Sequence, residues 1–204
     1  MNEYESRSQI FEKGHILFHQ NVHNDKFSFI FEGVIKLYSI CENGKCIIHG
    51  FLTKGDFVGV PALSENTISL YTAEVIEDAR IYMMERPEAM ELLKTDPNFT
   101  SQIFTHMIKA QDEAYHRHDH LINCKVRERT AKCLLELAEC FGEKINRDLR
   151  IKLRLNREEL ASVIGVAPET AIRFLSEFRK RGIISEKDRQ IVITDIEALI
   201  NITK

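Results

Sequence analysis

A chain of 204 residues, 44% hydrophobic and 29% charged, has the makeup of an ordinary globular protein with one large or two small domains. No apolar run approaches the roughly 20 residues that cross a bilayer, and the acidic start Met-Asn-Glu-Tyr-Glu is no signal peptide, so a cytoplasmic protein without a membrane partner is expected. The net charge of −3 divides unevenly: residues 1–124 carry 11 basic against 18 acidic groups and residues 125–204 carry 17 against 13, as a regulatory domain joined to a nucleic-acid-binding one would.

Residues 9–85 read as strands. Phe27–Phe31 is β-rich and leads through Gly33 into the run Val34–Cys41; Glu42-Asn43-Gly44-Lys45 follows, then Cys46–Phe51. Asn-Gly between two such runs is a strong hairpin signal. With Asn43 and Gly44 as a two-residue turn, Glu42 pairs with Lys45 and Cys41 lies opposite Cys46. The Cα atoms of such a pair are ~4.5 Å apart, within reach of a disulfide, so Cys41 and Cys46 are a candidate redox pair. The blander reading has both fill a strand face, and an odd total of five cysteines without an export signal argues for reduced thiols. Lys54–Gly59 forms a further turn-strand unit and Tyr71–Met84 holds the last strands. Short strands with glycine turns predict a small antiparallel β-barrel or jelly roll over residues 1–95.

Arg86-Pro87-Glu88 begins a helix ending near Lys94, and Asp96-Pro97 starts a long one, with a hinge, over residues 96–124. Within it Ile103, Met107, Ala110, Ala114, Arg117 and Leu121 follow at steps of 4, 3, 4, 3 and 4. That is a heptad seam, expected to pair with its copy in a homodimer, while packing on the barrel takes other faces. In His-Arg-His-Asp-His only His116 and His120 share a helix face, and a third ligand would have to come from a dimer partner, so a solvated helix end, and no metal site, is expected.

The basic part, residues 125–204, opens with a helix over Val126–Phe141 and an extended stretch, Leu149–Leu155. Asn156 and Glu159 have capping-box spacing, and Leu160, Ala161, Val163 and Ile164 form an apolar stripe. Gly165 ends that helix and Pro168 suits the first position of the next. There Ala171, Phe174, Leu175 and Phe178 share one face, while Glu169, Thr170, Ile172 and Arg173 show on the other. Helix, glycine turn and helix make a helix-turn-helix. Ile183–Ile184, the charged Ser185–Gln190 and Ile191–Ile193 then read as a wing hairpin, and Asp195 caps a last helix. The predicted whole is an α+β chain with a barrel, a dimerisation helix and a winged helix-turn-helix.

This order resembles the Crp/Fnr superfamily of bacterial transcription regulators. The residues that carry the resemblance are Phe11–Phe18, Ile30–Tyr38, Leu52–Gly59, Arg127–Leu137 and Leu155–Leu175, which together span nearly the whole chain. The resemblance implies sequence-specific binding of double-stranded DNA as a homodimer on a palindrome with a TGA-like half, and RNA polymerase as a partner if the protein is an activator. It implies that Arg173 bonds guanine, that Glu169 accepts from an amino group of cytosine or adenine and that Thr170 contacts a phosphate. Pro168 stands where the Crp branch has a further arginine, and Ile172, where the Fnr branch has serine, could touch a thymine methyl. The signal is left open. Val60 and Ser69 occupy the places of the ribose-binding glutamate and phosphate-binding arginine, so cyclic AMP is not expected; no cysteine precedes Cys41, so an N-terminal iron–sulfur cluster is not expected either. Haem or another effector stays open, as does a constitutive DNA binder whose barrel is only a dimerisation scaffold. No nucleophile–base pair or phosphate-cradling loop marks the chain as an enzyme.

Overall fold

In the computed structural model, residues 3–64 and 68–204 are described, and they form two compact units, one ending at Ala114 and one beginning at Tyr115. The first unit begins with a short helix, α1 (Glu3–Ser6), and strands β1 (Gln9–Phe11) and β2 (Ile16–Phe18). Its frame is two long antiparallel strands, β3 (Lys26–Ile40) and β6 (Thr72–Glu85), paired from Lys26↔Glu85 to Tyr38↔Thr72. β1 and β2 pair along the free edge of β6; β4 (Cys46–Leu52) and β5 (Phe57–Val58) pair along that of β3. The result is a jelly-roll-like antiparallel sheet that does not close into a barrel.

Alternation puts Ile30, Ile35, Val75 and Ile81 on a shared buried face, with Phe11, Phe18 and Leu37 packed against it. Register shifts between Ile30 and Ile35 bend β3, so that the expected break at Gly33 is a bulged region of one continuous strand. A 3-10 turn (Val60–Leu63) follows β5, and helices α2 (Arg86–Thr95) and α3 (Pro97–Asn123) follow β6. A second cluster, Phe27, Phe57, Tyr82, Met84, Ala89 and Ile103, joins the strands to α2 and α3.

The β3–β4 connection differs from the expected turn. Gly44 N–H donates to Cys41 O at 2.8 Å, Cys41 N–H donates to Lys45 O at 2.9 Å, and Gly44 has φ 79°. This is a three-residue loop: a turn followed by a left-handed residue that only glycine adopts without strain. Cys46 therefore pairs with Ile40 and not with Cys41. A one-residue slip reverses faces, so the two cysteines are not the cross-strand pair that the sequence suggested.

The second unit contains α4 (Val126–Phe141), the hairpin β7 (Gly142–Ile145) and β8 (Asp148–Ile151), helices α5 (Arg157–Ile164) and α6 (Pro168–Lys180), the hairpin β9 (Ile184–Lys187) and β10 (Gln190–Ile193), and α7 (Ile196–Ile202). The sheet runs β7-β8-β10-β9, which places Ile151 and Ile193 among its buried residues. α4 packs on α5, α6 and α7 and buries Leu134, Leu137 and Ala138. Strand β7 was not expected; its charged residues hid it. No helix among the described residues is long and apolar enough to cross a membrane.

Candidate nucleic-acid interface

The placing of α6 begins with the cap of α5. Asn156 Oδ1 accepts from Glu159 N–H at 2.9 Å, and Glu159 Oε2 accepts from Asn156 N–H at 3.0 Å, so two of the orphan amides at that helix start are satisfied. At its other end Gly165 (φ 76°) and Val166 both donate to Ala161 O, a left-handed stop that lets α6 restart at Pro168. A Cβ on Gly165 would stand 2.9 Å from Leu121 Cδ2, so the turn is shaped for glycine by contact as well as by φ.

Ala171, Leu175 and Phe178 bury one face of α6. Phe174, expected with them, is only half-buried and carries the Arg173 guanidinium over its ring, 5.1 Å from the centroid. Glu169 and Arg173, one turn apart, are both exposed, while Pro168, Thr170 and Ile172 are half-buried beside them. Glu169 also lies in the first turn, where a carboxylate suits the helix dipole. Ser176 and Lys180 continue the Glu169–Arg173 face at helical spacing; that spacing was legible in the sequence and was missed.

Ion pairs fix the helix in its surroundings. Arg127 Nε donates to Glu177 Oε1 at 2.8 Å, tying α4 to α6. Glu186 of β9 receives Arg179 of α6 at 2.7 Å and Arg157 of α5 at 3.8 Å. The wing turns at Asp188 (φ 55°) and Arg189 (φ 62°), as a two-residue hairpin loop with the twist of its strands requires.

In the first unit, Val60 begins the 3-10 turn and packs beside the aromatic cluster, and Ser69 is buried, with its backbone bonded to Asn21 and Val22. Neither supplies a charge. On α3 the expected seam needs correcting. Ile103 is buried in its own unit against Phe27 and Phe57, so it cannot face a partner. Large exposed apolar residues stand both on the expected seam, at Met107 (48% exposed) and Leu121 (55%), and one position later, at Phe104 (61%), Ile108 (59%), Tyr115 (65%) and Ile122 (68%), where they are more exposed. With Gln111 and His118 the latter four repeat at steps of 4, 3, 4, 3 and 4. Met107, Ala110, Ala114, Arg117 and Leu121 are exposed on the adjoining side. The His116 and His120 rings are 6.4 Å apart, and His120 Nδ1 lies 3.5 Å from Glu136 Oε1. Burial holds the His120 pKa below the usual imidazole value, with the Lys132 charge adding to it. Among the described residues no group of three or more His, Cys, Asp or Glu could hold a metal ion.

Residues 8–96 match the cyclic nucleotide-binding domain and residues 128–202 the Crp-like helix-turn-helix domain. The chain belongs to the Crp/Fnr superfamily. A CRP-like cAMP-activated global transcriptional regulator of Mycobacterium tuberculosis is 25% identical over 189 residues, 93% of this chain and 84% of the relative. The fumarate and nitrate reduction regulatory protein of Yersinia pestis is 29% identical over 196 residues, 95% of this chain and 77% of the relative. A CRP/FNR-family regulator from Thermus thermophilus shares the fold, with TM-score 0.82, 24% identity, and coverage of 96% of this chain and 97% of that one. As a Crp/Fnr protein the chain is a transcription regulator that binds DNA through its helix-turn-helix, and not an enzyme. Regulators of this superfamily typically act as dimers.

Proposed function

We propose that this protein regulates transcription as a homodimer, reading a palindrome through Glu169 and Arg173 of α6 in response to a signal other than cyclic AMP. The observation that carries the reading is the exposed Glu169–Arg173 pair on a helix whose opposite face is buried and whose ends are fixed by the Gly165 stop and the Glu186 ion pairs. Arg173 offers a bidentate fork to guanine O6 and N7, and Glu169 accepts from an exocyclic amine. Thr170 reaches a phosphate, Ile172 a thymine methyl, and Pro168 sets the helix start. Half-sites about one helical turn apart follow from two-fold pairing.

The exposed stripe Phe104, Ile108, Tyr115 and Ile122 supports pairing of α3 with its copy, because apolar groups of that size at heptad spacing stay wet in a single chain. Val60 and Ser69 support a signal other than cyclic AMP, since a buried cyclic phosphate without a cationic partner is costly. Anisotropy titrations on TGA-type palindromes over several salt concentrations test the reading. Arg173→Ala is expected to lose about 1–3 kcal/mol of sequence preference with little change in the salt slope of non-specific binding. Equal preference in wild type and Arg173→Ala would rule out direct readout by this residue.

A further inference from the structure

Beside β3 and β6, between α1, α2 and the start of α3, lies a half-open pocket of about 140 Å³. Tyr4, Phe29, Phe31, Phe57, Tyr82 and Phe99 supply most of its wall, with the Asn98 and Gln102 amides among the polar groups that line it. A space of roughly 150 Å³ holds a benzene-sized molecule, and the polar part of this wall calls for a polar group on the ring. We propose that this cavity is a binding site for a neutral, single-ring aromatic ligand, distinct from the positions of Val60 and Ser69.

Charge selects the ligand class. Among the described residues no Lys, Arg or His lines the pocket, so an anion would enter without a cationic partner. Asp96, the lining carboxylate among the described residues, is already engaged, its Oδ1 accepting from Asn98 N–H at 2.9 Å and Phe99 N–H at 3.2 Å. A cation fares no better, although rings attract cations. The Arg7 guanidinium, paired with Glu88, lies 5.1 Å from the Tyr82 ring centroid, and that of Arg80, paired with Glu5 and Glu32, lies 5.7 Å from the Phe31 centroid, so both rings already carry a cation and neither guanidinium is left unpaired for an anion. The Tyr82 hydroxyl donates to Glu88 and leaves its ring to the wall. The amides of Asn98 and Gln102 remain to orient one hydroxyl or carbonyl group.

The pocket wall includes the exposed Asn98 and Gln102, so a ligand can enter without movement of α1, which forms another side. Tyr4 rests on Tyr82 with ring centroids 5.3 Å apart, and the helix is tied down by Arg7–Glu88 at 3.3 Å and Glu5–Arg80 at 2.9 Å. Both ion pairs are partly exposed, the kind that solvent weakens. Asn98, Phe99 and Gln102 lie on α3 away from Phe104 and Ile108, and a partner on that stripe leaves the cavity open. A ligand here sits at the root of α3; its role as the signal rests on the regulator reading above, whereas its binding does not.

Phenol, benzoate and tetramethylammonium are the probes, titrated calorimetrically into DNA-free full-length protein. Phenol is expected to bind saturably at about millimolar concentration or tighter, as befits so small a ligand. Its ring protons should show NMR contacts to the Met84 methyl group in the wild type, and Leu92→Phe, which fills the cavity, should weaken binding at least about tenfold, or 1.4 kcal/mol. Absence of saturable phenol binding overturns the site, as does binding without contact to Met84. Equal binding of benzoate or tetramethylammonium overturns the ligand class. Operator affinity that is the same with and without bound phenol overturns the role as signal and leaves DNA reading by α6 standing.

Discussion

Arg127 of α4 meets Glu177 of α6 at 2.8 Å, and its guanidinium lies 5.9 Å from the Phe178 ring centroid. One side chain thus ties the reading helix to the first helix of its unit by a charged hydrogen bond and by stacking. Both partners are nearly two-fifths exposed, which limits the pair to about 0.2–1 kcal/mol. Arg127→Ala is therefore expected to lower the melting temperature by only a few degrees, measured by calorimetry. Loss of more than about 2 kcal/mol would show that the pair is worth more than its exposure permits.

The wing tip invites a second substitution. Arg189 holds φ 62°, a conformation that favours glycine. Arg189→Gly should stabilise the protein by about 0.5–1 kcal/mol in denaturant titrations while weakening DNA binding across all sequences, with the salt slope falling by about one. Unchanged affinity would remove the wing tip from the interface.

Two neighbours on α3 should behave in opposite ways. Ile103→Ala empties a buried site and is expected to cost about 2–5 kcal/mol of unfolding free energy with no direct loss of pairing. Ile108→Asp leaves each unit's core intact and should shift sedimentation toward the monomer. Swapped outcomes would restore the seam through Ile103.

The Asp56 carboxyl supplies a pH test. Burial pushes its pKa up, but the hydrogen bond from His106, then that from Thr53 N–H, then the Lys109 charge outweigh burial and hold it below the usual carboxylate value. A depressed folded pKa adds stability that is present above the ordinary value near ~4 and lost as pH falls through the folded value. Asp56→Ala should therefore cost about 1–3 kcal/mol at neutral pH, with the gap to wild type narrowing as the pH drops below ~4. A gap independent of pH would assign the loss to packing.

Peptide mapping after mild oxidation should show no Cys41–Cys46 disulfide within one chain, because the Ile40↔Cys46 register turns the two side chains to opposite faces.

What the sequence made legible was whatever local chemistry decides. Asn156, Glu159, Gly165 and Pro168 mark the ends of α5 and α6 by caps that act within four residues. The heptad on α3 was ambiguous by one residue: Ile103 and Phe104 both begin a repeat of 4 and 3, and one step rotates the face by ~100°. Only contact with Phe27 and Phe57, distant in sequence, assigns Ile103 to the core. Asn43-Gly44 likewise signals a hairpin without fixing whether the loop holds two residues or three. β7 escaped notice because Gly142-Glu143-Lys144-Ile145 is short, half charged and pairs at the sheet's edge.

The two acidic hubs, Glu177 and Glu186, also change what the basic second unit offers to DNA. Arg127 and Arg181 converge on one, Arg157 and Arg179 on the other. Four guanidiniums that a tally would assign to phosphates are thereby partly neutralised before DNA arrives. The counterions displaced on binding should accordingly number fewer than the positive side chains near the interface, and non-specific association should be correspondingly tolerant of salt. On the proposed reading, such a protein would leave wrong sites easily and keep its discrimination in the few base contacts of one short helix.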